Sequence, residues 1–273
     1  MPRPIITLTT DFGDADGFVG TMKGVILTIA RRASVDVDLV DLAHAIAPGD
    51  VRQAALVLAA AVPYFPPAAI HLVVVDPGVG TSRAAIAIAA EHGFLVGPDN
   101  GVLSLAAGPA GKRRVHRLES AQHRLDPPSD TFHGRDVFAP AAAHLACGMA
   151  IEALGPRHPA PIELALPRPA VGADRVTGEV IYVDRFGNLT TNVDRALLAR
   201  FFAGAVSVTI AGTRIDSVSR AYGVTPAAPL VAVVNSWGWL EVACPGGSAA
   251  ARLGAGRGTE VILERPGPRP IPH

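Results

Sequence analysis

The chain changes rhythm once, and that change constrains its fold more than any other feature. Up to about residue 155, β-rich runs alternate with longer amphipathic ones. IITLTT (5–10), VDLVDL (37–42), HLVVV (71–75) and AAIAIAA (84–90), continuing through FLVG, read as strands. GFVGTMKGVILTIAR (17–31), DVRQAALVLAAAV (50–62) and RDVFAPAAAHLACG (135–148) read as helices. Such alternation predicts an α/β domain with a mainly parallel central sheet, whose ligands sit at the carboxyl ends of the strands. A proline-dense stretch follows. Beyond it lie GEVIYVD (178–184), AVSVTIAG (205–212), PLVAVVN (229–235), WLEVAC (239–244) and EVILE (260–264), short runs separated by turn residues. This pattern predicts a smaller antiparallel β domain, sandwich-like or barrel-like. The expected division is an α/β domain over 1–160, a linker over 161–176 and a β-rich domain over 177–273.

Charge and cysteine content exclude several functions. Lysine plus arginine equals aspartate plus glutamate, at 24 each, so no electrostatic footprint for nucleic acid or an anionic membrane is present. The longest apolar stretch, AALVLAAAV (54–62), stops at Pro63, far short of the roughly 20 residues a membrane span requires. MPRPIITLTT is expected to enter a strand directly, with no basic region followed by an apolar one, and Cys147 and Cys244 fit no metal or redox spacing. The expectation is a cytoplasmic protein with two buried thiols.

Taken singly, the polar motifs are ambiguous. TTDFGDADGF (9–18) has the kinase tripeptide, but only ten residues precede Asp11, too few for the rest of a kinase. Its acids do not follow calcium-loop spacing. Asp14 and Asp16 are therefore candidate caps for the helix beginning near Gly17. DPGVGTSR (76–83) lacks the ending of a phosphate loop and reads alone as a capped turn with a surface arginine. GPDNGVLS (97–104) reads as a turn that leads into a helix, with Asp99 or Asn100 as its cap. TFHGRD (131–136) puts His133 before an apolar helix, either as a general base or as a helix-entry residue. VDRFGNLTTN (183–192) offers an acid, an aromatic face and an amide. NSWGWLEVACPGG (235–247) reads as a hairpin in which Trp237 and Trp239 cover core.

Together and in order, TDFG, VVVDPGVGTSR, PDNG, TFHGRDVFAPAAAHLA, VDRFGN and NSWGWLEVA resemble the S-adenosyl-L-methionine hydroxide adenosyltransferases, hydrolase relatives of the fluorinases and chlorinases. The resemblance runs from about residue 5 to 263. It implies hydrolysis of S-adenosylmethionine by water or hydroxide attack at ribose C5′, giving adenosine and L-methionine. It also implies a homotrimer with active sites at subunit interfaces, no cofactor, no metal, and neither nucleic acid nor membrane as partner. Asp76, Arg83 and His133 are the implied catalytic set, with either Asp76 or His133 as base. Asp11 is implied to accept the ribose hydroxyls. Asp16, Asp184 and Ser236 are implied to hold the methionine amino group. Phe186 is implied to stack on adenine, with Asn188 and the backbone near Gly246 reading its edge. Trp237 stands where the halogenases have arginine, and Asp76 and Gly134 stand where the fluorinases have tyrosine and serine. A halogenase, a non-catalytic S-adenosylmethionine or adenosine binder, and a metal hydrolase are the rival readings.

Overall fold

The structure is a computed structural model that describes residues 2–202, 206–223 and 229–265. It divides into two units, Met1–Leu164 and Ala165–His273, each described by itself.

The first unit carries β1 (Ile5–Thr10), α1 (Phe18–Arg32), β2 (Asp38–Ala43), α2 (Val51–Ala61), β3 (Ile70–Val74), β4 (Ala85–Ala90), β5 (Gly93–Pro98), α3 (Ser104–Ala107), β6 (Arg114–Arg117) and α4 (Ala139–Ala146). Its sheet has the order β2-β1-β3-β5-β4-β6. The first four strands pair in parallel, while β4 runs antiparallel to both β5 and β6. The run expected as one strand from 84 through FLVG is thus a hairpin. Glu91 and His92 make its turn, and Gly93 takes φ +126°, which only glycine adopts without strain.

Strand alternation sorts β3 between two cores. Ile70, Leu72 and Val74 pack with Val19, Met22 and Ile26 of α1 and with α4. Val73 and Val75 pack with Ala54 and Leu58 of α2. The result is a sheet between helical layers. Asp76 continues the parity of Leu72 and Val74, so it falls on the α1/α4 side. From β1 the chain passes to β2 on one side, then returns to β3 on the other. The crevice between the carboxyl ends of β1 and β3 is therefore a topological switch point, where open α/β sheets bind ligands.

The second unit carries β7 (Ala170–Val171), β8 (Arg175–Val183), β9 (Leu189–Asp194), α5 (Arg195–Phe201), β10 (Ser207–Ile210), β11 (Thr213–Ile215), β12 (Val218–Ser219), β13 (Val231–Val234), β14 (Trp239–Ala243), α6 (Ala249–Leu253) and β15 (Glu260–Glu264). Eight strands follow the order β11-β10-β15-β8-β9-β14-β13-β12, and β7 adds to β8. All described pairs are antiparallel except β12 with β13. Residues from β8, β9, β10, β13, β14 and β15 share one core cluster, so the sheet curls around it in a nearly barrel-shaped form.

Candidate active site

The carboxyl end of β3 delivers Asp76, and the glycine-containing turn after it returns Arg83. Two contacts shape that turn: Val79 N donates to Asp76 O, and the Thr81 hydroxyl donates to Gly78 O at 2.6 Å. Gly80 has φ +77°, and a Cβ there would stand 2.8 Å from Asp130 O, so the turn lies directly against the loop that leads to His133. Arg83 Nε donates to both Asp76 oxygens, at 2.9 and 3.0 Å, and Nη2 also donates to Asp76 Oδ2. The two side chains are only 5% and 10% exposed. Arg83 is therefore no surface residue, and its guanidinium lies 5.2 Å from the centroid of Phe138.

Arg83 Nη2 also lies 2.9 Å from His133 Nδ1. A guanidinium only donates, so Nδ1 must accept and a neutral imidazole must carry its proton on Nε2. Burial first, then the Arg83 charge, holds His133 below its ordinary value, against the opposing pull of Asp76, Asp130 and Asp136. A π-helical turn, Gly134–Phe138, follows His133 and leads into α4, so the helix expected from 135 opens irregularly. Asp136 stabilises this turn by accepting from Ser129 N at 2.8 Å and from Arg135 Nε and Nη2. Burial works against the Asp136 charge, but Arg135 and Ser129 outweigh it and hold the carboxyl low.

A cleft of about 430 Å³ opens over this set, with Asp11, Phe12, Gly49, Asp76, Phe132 and His133 among its walls. Asp11 Oδ2 accepts from Gly49 N at 2.8 Å, leaving Oδ1 with no partner among described residues. Asn100 bridges β3 and the turn after β5, donating to Val75 O and accepting from Val102 N. Asp99 instead faces His158 at 2.9 Å and accepts from Ile162 N. Neither caps α3, which has no side-chain cap. Asp14 and Asp16 do not cap α1 either: Gly17 holds that position without a side-chain bond, and both acids are exposed. Asp16 is absent from the cleft walls.

In the second unit a cleft of about 460 Å³ is lined by Asp184, Phe186, Asn188, Tyr222, Cys244 and Gly246, among others. Phe186 is 75% exposed. Its turn is organised by Asp184, which accepts from Phe186 N, Asn188 N and Asn188 Nδ2, each at 2.8 Å. Asp184 is largely occupied by its own turn. Ser236 is exposed in the β13–β14 turn and is not among the residues that line the cleft. Trp237 and Trp239 are half-buried, with Trp237 packed 5.2 Å from the Tyr182 ring. Cys147 and Cys244 are half-buried free thiols, not buried ones.

Residues 6–155 match the SAM hydroxide adenosyltransferase N-terminal domain, and 178–262 the corresponding C-terminal domain. The chain belongs to the SAM hydroxide adenosyltransferase family. It is 43% identical to the (R)-S-adenosyl-L-methionine hydrolase of Salinispora tropica, over 93% of this chain and 95% of that one. To the (R)-S-adenosyl-L-methionine hydrolase of Thermus thermophilus it is 42% identical, over 96% and 99%. Fluorinases also match, at 25–28% identity. Among solved structures, an uncharacterized conserved protein of Thermotoga maritima superposes with a TM-score of 0.87 at 36% identity, covering 95% of this chain and 100% of that one.

Within this family frame, sequence reasoning missed Tyr222 and Glu241. Glu241 is buried and accepts from the Tyr222 hydroxyl at 2.8 Å, Asn235 Nδ2 at 3.0 Å and the Thr190 hydroxyl at 3.1 Å. Burial, and then the bond to Glu241, pushes the Tyr222 phenol up to about 12. Tyr222 thus anchors its polar tip while part of its ring stays open to the cleft. The one available signal was a glutamate inside the otherwise apolar run WLEVA.

Among described residues no group of three or more His, Cys, Asp or Glu side chains is arranged to hold a metal. No described helix is long and apolar enough to cross a membrane.

Proposed function

We propose that the protein hydrolyses S-adenosyl-L-methionine to adenosine and L-methionine by attack of water at ribose C5′. The observation that carries this reading is the Asp76–Arg83–His133 cluster, bonded side chain to side chain beside Asp11 at the switch point of the sheet. The sulfonium is already a good leaving group, so the enzyme's task is to orient a water in line with the C5′–S bond and remove its proton. As oxygen bonds to C5′, the C5′–S electron pair returns to sulfur and methionine leaves as a neutral thioether.

Asp76 accepts the water proton. A carboxylate has about four acceptor sites, so the contacts from Arg83 leave capacity for a water. His133 presents Nε2–H as a donor, and with Arg83 it favours the hydroxide-like charge on the attacking oxygen. This division assigns the base to Asp76. Asp11 accepts the ribose hydroxyls through the oxygen that Gly49 does not engage.

In the second unit, Phe186 supplies a stacking face for adenine, while Asn188 and the backbone at Gly246 read its edge. Asp184 sets that turn and offers its remaining acceptor capacity to the methionine amino group, a role shared with Asp16 and Ser236. The catalytic residues thus belong to the domain spanning 1–160, and the adenine contacts to that spanning 177–273. A homotrimer with interfacial sites, acting in the cytoplasm without a cofactor, completes the proposal. Light scattering of the purified protein tests the trimer.

Hydrolysis is favoured over halide transfer by the acidic residue at 76 and by the tight packing around Gly134. A Cβ at 134 would lie 3.1–3.3 Å from Phe132, Met22 and Val74, so serine does not enter without displacing neighbours. Turnover in ¹⁸O water is the deciding experiment. Label in the 5′-hydroxyl of adenosine is expected; unlabelled adenosine, or 5′-chloro-5′-deoxyadenosine formed with chloride, overturns the reading.

A further inference from the structure

Behind the Asp11 turn lies a chain of polar side chains that the proposed chemistry does not use. Lys23 Nζ on α1 lies 2.7 Å from Asp41 Oδ2 on β2. Asp41 Oδ1 lies 2.9 Å from His44 Nε2, an electrostatic contact that favours the proton on that nitrogen without a hydrogen bond being formed. His44 Nδ1 is 2.9 Å from the Thr10 hydroxyl, which accepts from Phe12 N at 3.3 Å. The directions agree. With the Nε2 proton on the side of the Asp41 carboxylate, Nδ1 accepts the Thr10 proton, and the Thr10 oxygen is free to accept from the backbone of Phe12. Burial opposes the Asp41 charge, but Lys23 and His44 outweigh it and keep that carboxyl low.

An Asp–His–Thr series at these distances has the connectivity of a hydrolytic triad, yet Thr10 is fully buried. A nucleophile that meets no substrate does no chemistry, so the series must act on what Thr10 holds. The His44 carbonyl supplies the second contact, accepting from Gly13 N at 2.8 Å. One residue therefore grips the 10–13 turn at both ends, and the two residues between, Asp11 and Phe12, line the cleft. Phe12 also joins a cluster with Phe18 and Phe132, at ring separations of 5.5 and 5.9 Å, next to His133.

We propose that His44 is a positioning residue which, through Thr10 and its own carbonyl, fixes the angle at which Asp11 meets the ribose. The inference rests on Asp11 as the ribose acceptor. The test uses the full-length protein and compares inhibition by adenosine with inhibition by 2′-deoxyadenosine. Thr10→Val keeps the shape and removes the hydroxyl; Thr10→Ser restores it. Loss of one buried hydrogen bond corresponds to roughly tenfold in binding. Thr10→Val is therefore expected to shrink the preference for adenosine about tenfold and to raise KM more than it lowers kcat, with Thr10→Ser near the unaltered protein.

Asp41→Ala, at an exposed position, should move the preference the same way by about threefold even if Thr10→Val folds poorly. General loosening of the fold does not change a ratio between two ligands that differ by one hydroxyl. If Asp11→Ala collapses the preference while Thr10→Val and Asp41→Ala leave it intact, the role of His44 is overturned and the ribose reading stands. If Asp11→Ala leaves the preference intact, the ribose reading fails, and the role of His44 fails with it.

Discussion

The two clefts are of similar size and opposite construction. The one in the first unit has a floor of buried, mutually bonded charges whose orientation is settled before a ligand arrives: both Asp76 oxygens face Arg83, and Arg83 dictates the tautomer of His133. The one in the second unit presents an exposed Phe186 ring on a turn whose acid is bonded mostly to its own backbone. In the proposed reading the first is the place where bonds change, and the second the place where a flat molecule rests. Preorganised electrostatics belong with the transition state, whereas a stacking face contributes equally before and during reaction.

If that contrast holds, Asp76→Ala lowers kcat by about 10³-fold with little change in KM, the scale expected for losing a positioned base. Chromatographic assay of adenosine checks it; near-normal release would place the chemistry elsewhere.

Acid should also separate the units. His71 is fully buried on β3, bonded through Nδ1 to Thr7 at 2.9 Å with Nε2 unsatisfied, and burial pushes it down to about 4. The unfolded chain therefore binds the extra proton first. The stabilisation is complete above about pH 6.5 and is lost as pH falls toward 4, by at most about 3 kcal/mol for this one group. Every histidine among the described residues lies in the first unit, and both tryptophans lie in the second. Between pH 6.5 and 4 the helical circular dichroism of the first unit should be lost at lower temperature than the tryptophan signal. Coincident loss would mean that the units melt together.

Smaller effects belong to the second cleft. Phe186→Ala should raise KM about tenfold at nearly constant kcat, the scale of one lost base–aromatic stack. Tyr222→Phe keeps the ring and removes its bond to Glu241, which should raise KM about threefold. A fall in kcat matching the rise in KM, in either variant, would erase the distinction between a chemical cleft and a resting one.

The same contrast explains what was legible beforehand. HLVVVD announces a buried strand ending in an acid because apolar continuity is a strong signal, and the order of strands and helices led correctly to the α/β layers. β9 hid because it buries polar residues: Thr190, Thr191 and Asn192 are all inside, so NLTTNVD shows no apolar alternation. α5 was missed entirely: it is only seven residues long, and its N-terminus is set by Asp194, which accepts from Leu197 N. Asp14 and Asp16 attracted a capping assignment by residue type, but cap geometry falls to Gly17. Asp76, Arg83 and His133 are 7 and 50 residues apart along the chain. Only a known ordering of motifs joined them, because the contact is made by the return of a turn and the entry of a helix.

That helix entry carries one last consequence. The α4 stretch is fixed in rotation by packing, with nearly all of its residues buried, so it cannot turn to aim a side chain. The π-helical turn holds one residue more than an ordinary turn, which changes the direction of everything before it by roughly 100° while α4 stays where the core requires it. The aim of the imidazole and the seating of the helix are thereby set separately. Losing one residue between 134 and 138 would leave a sound helix in a sound core, with His133 facing away from Arg83.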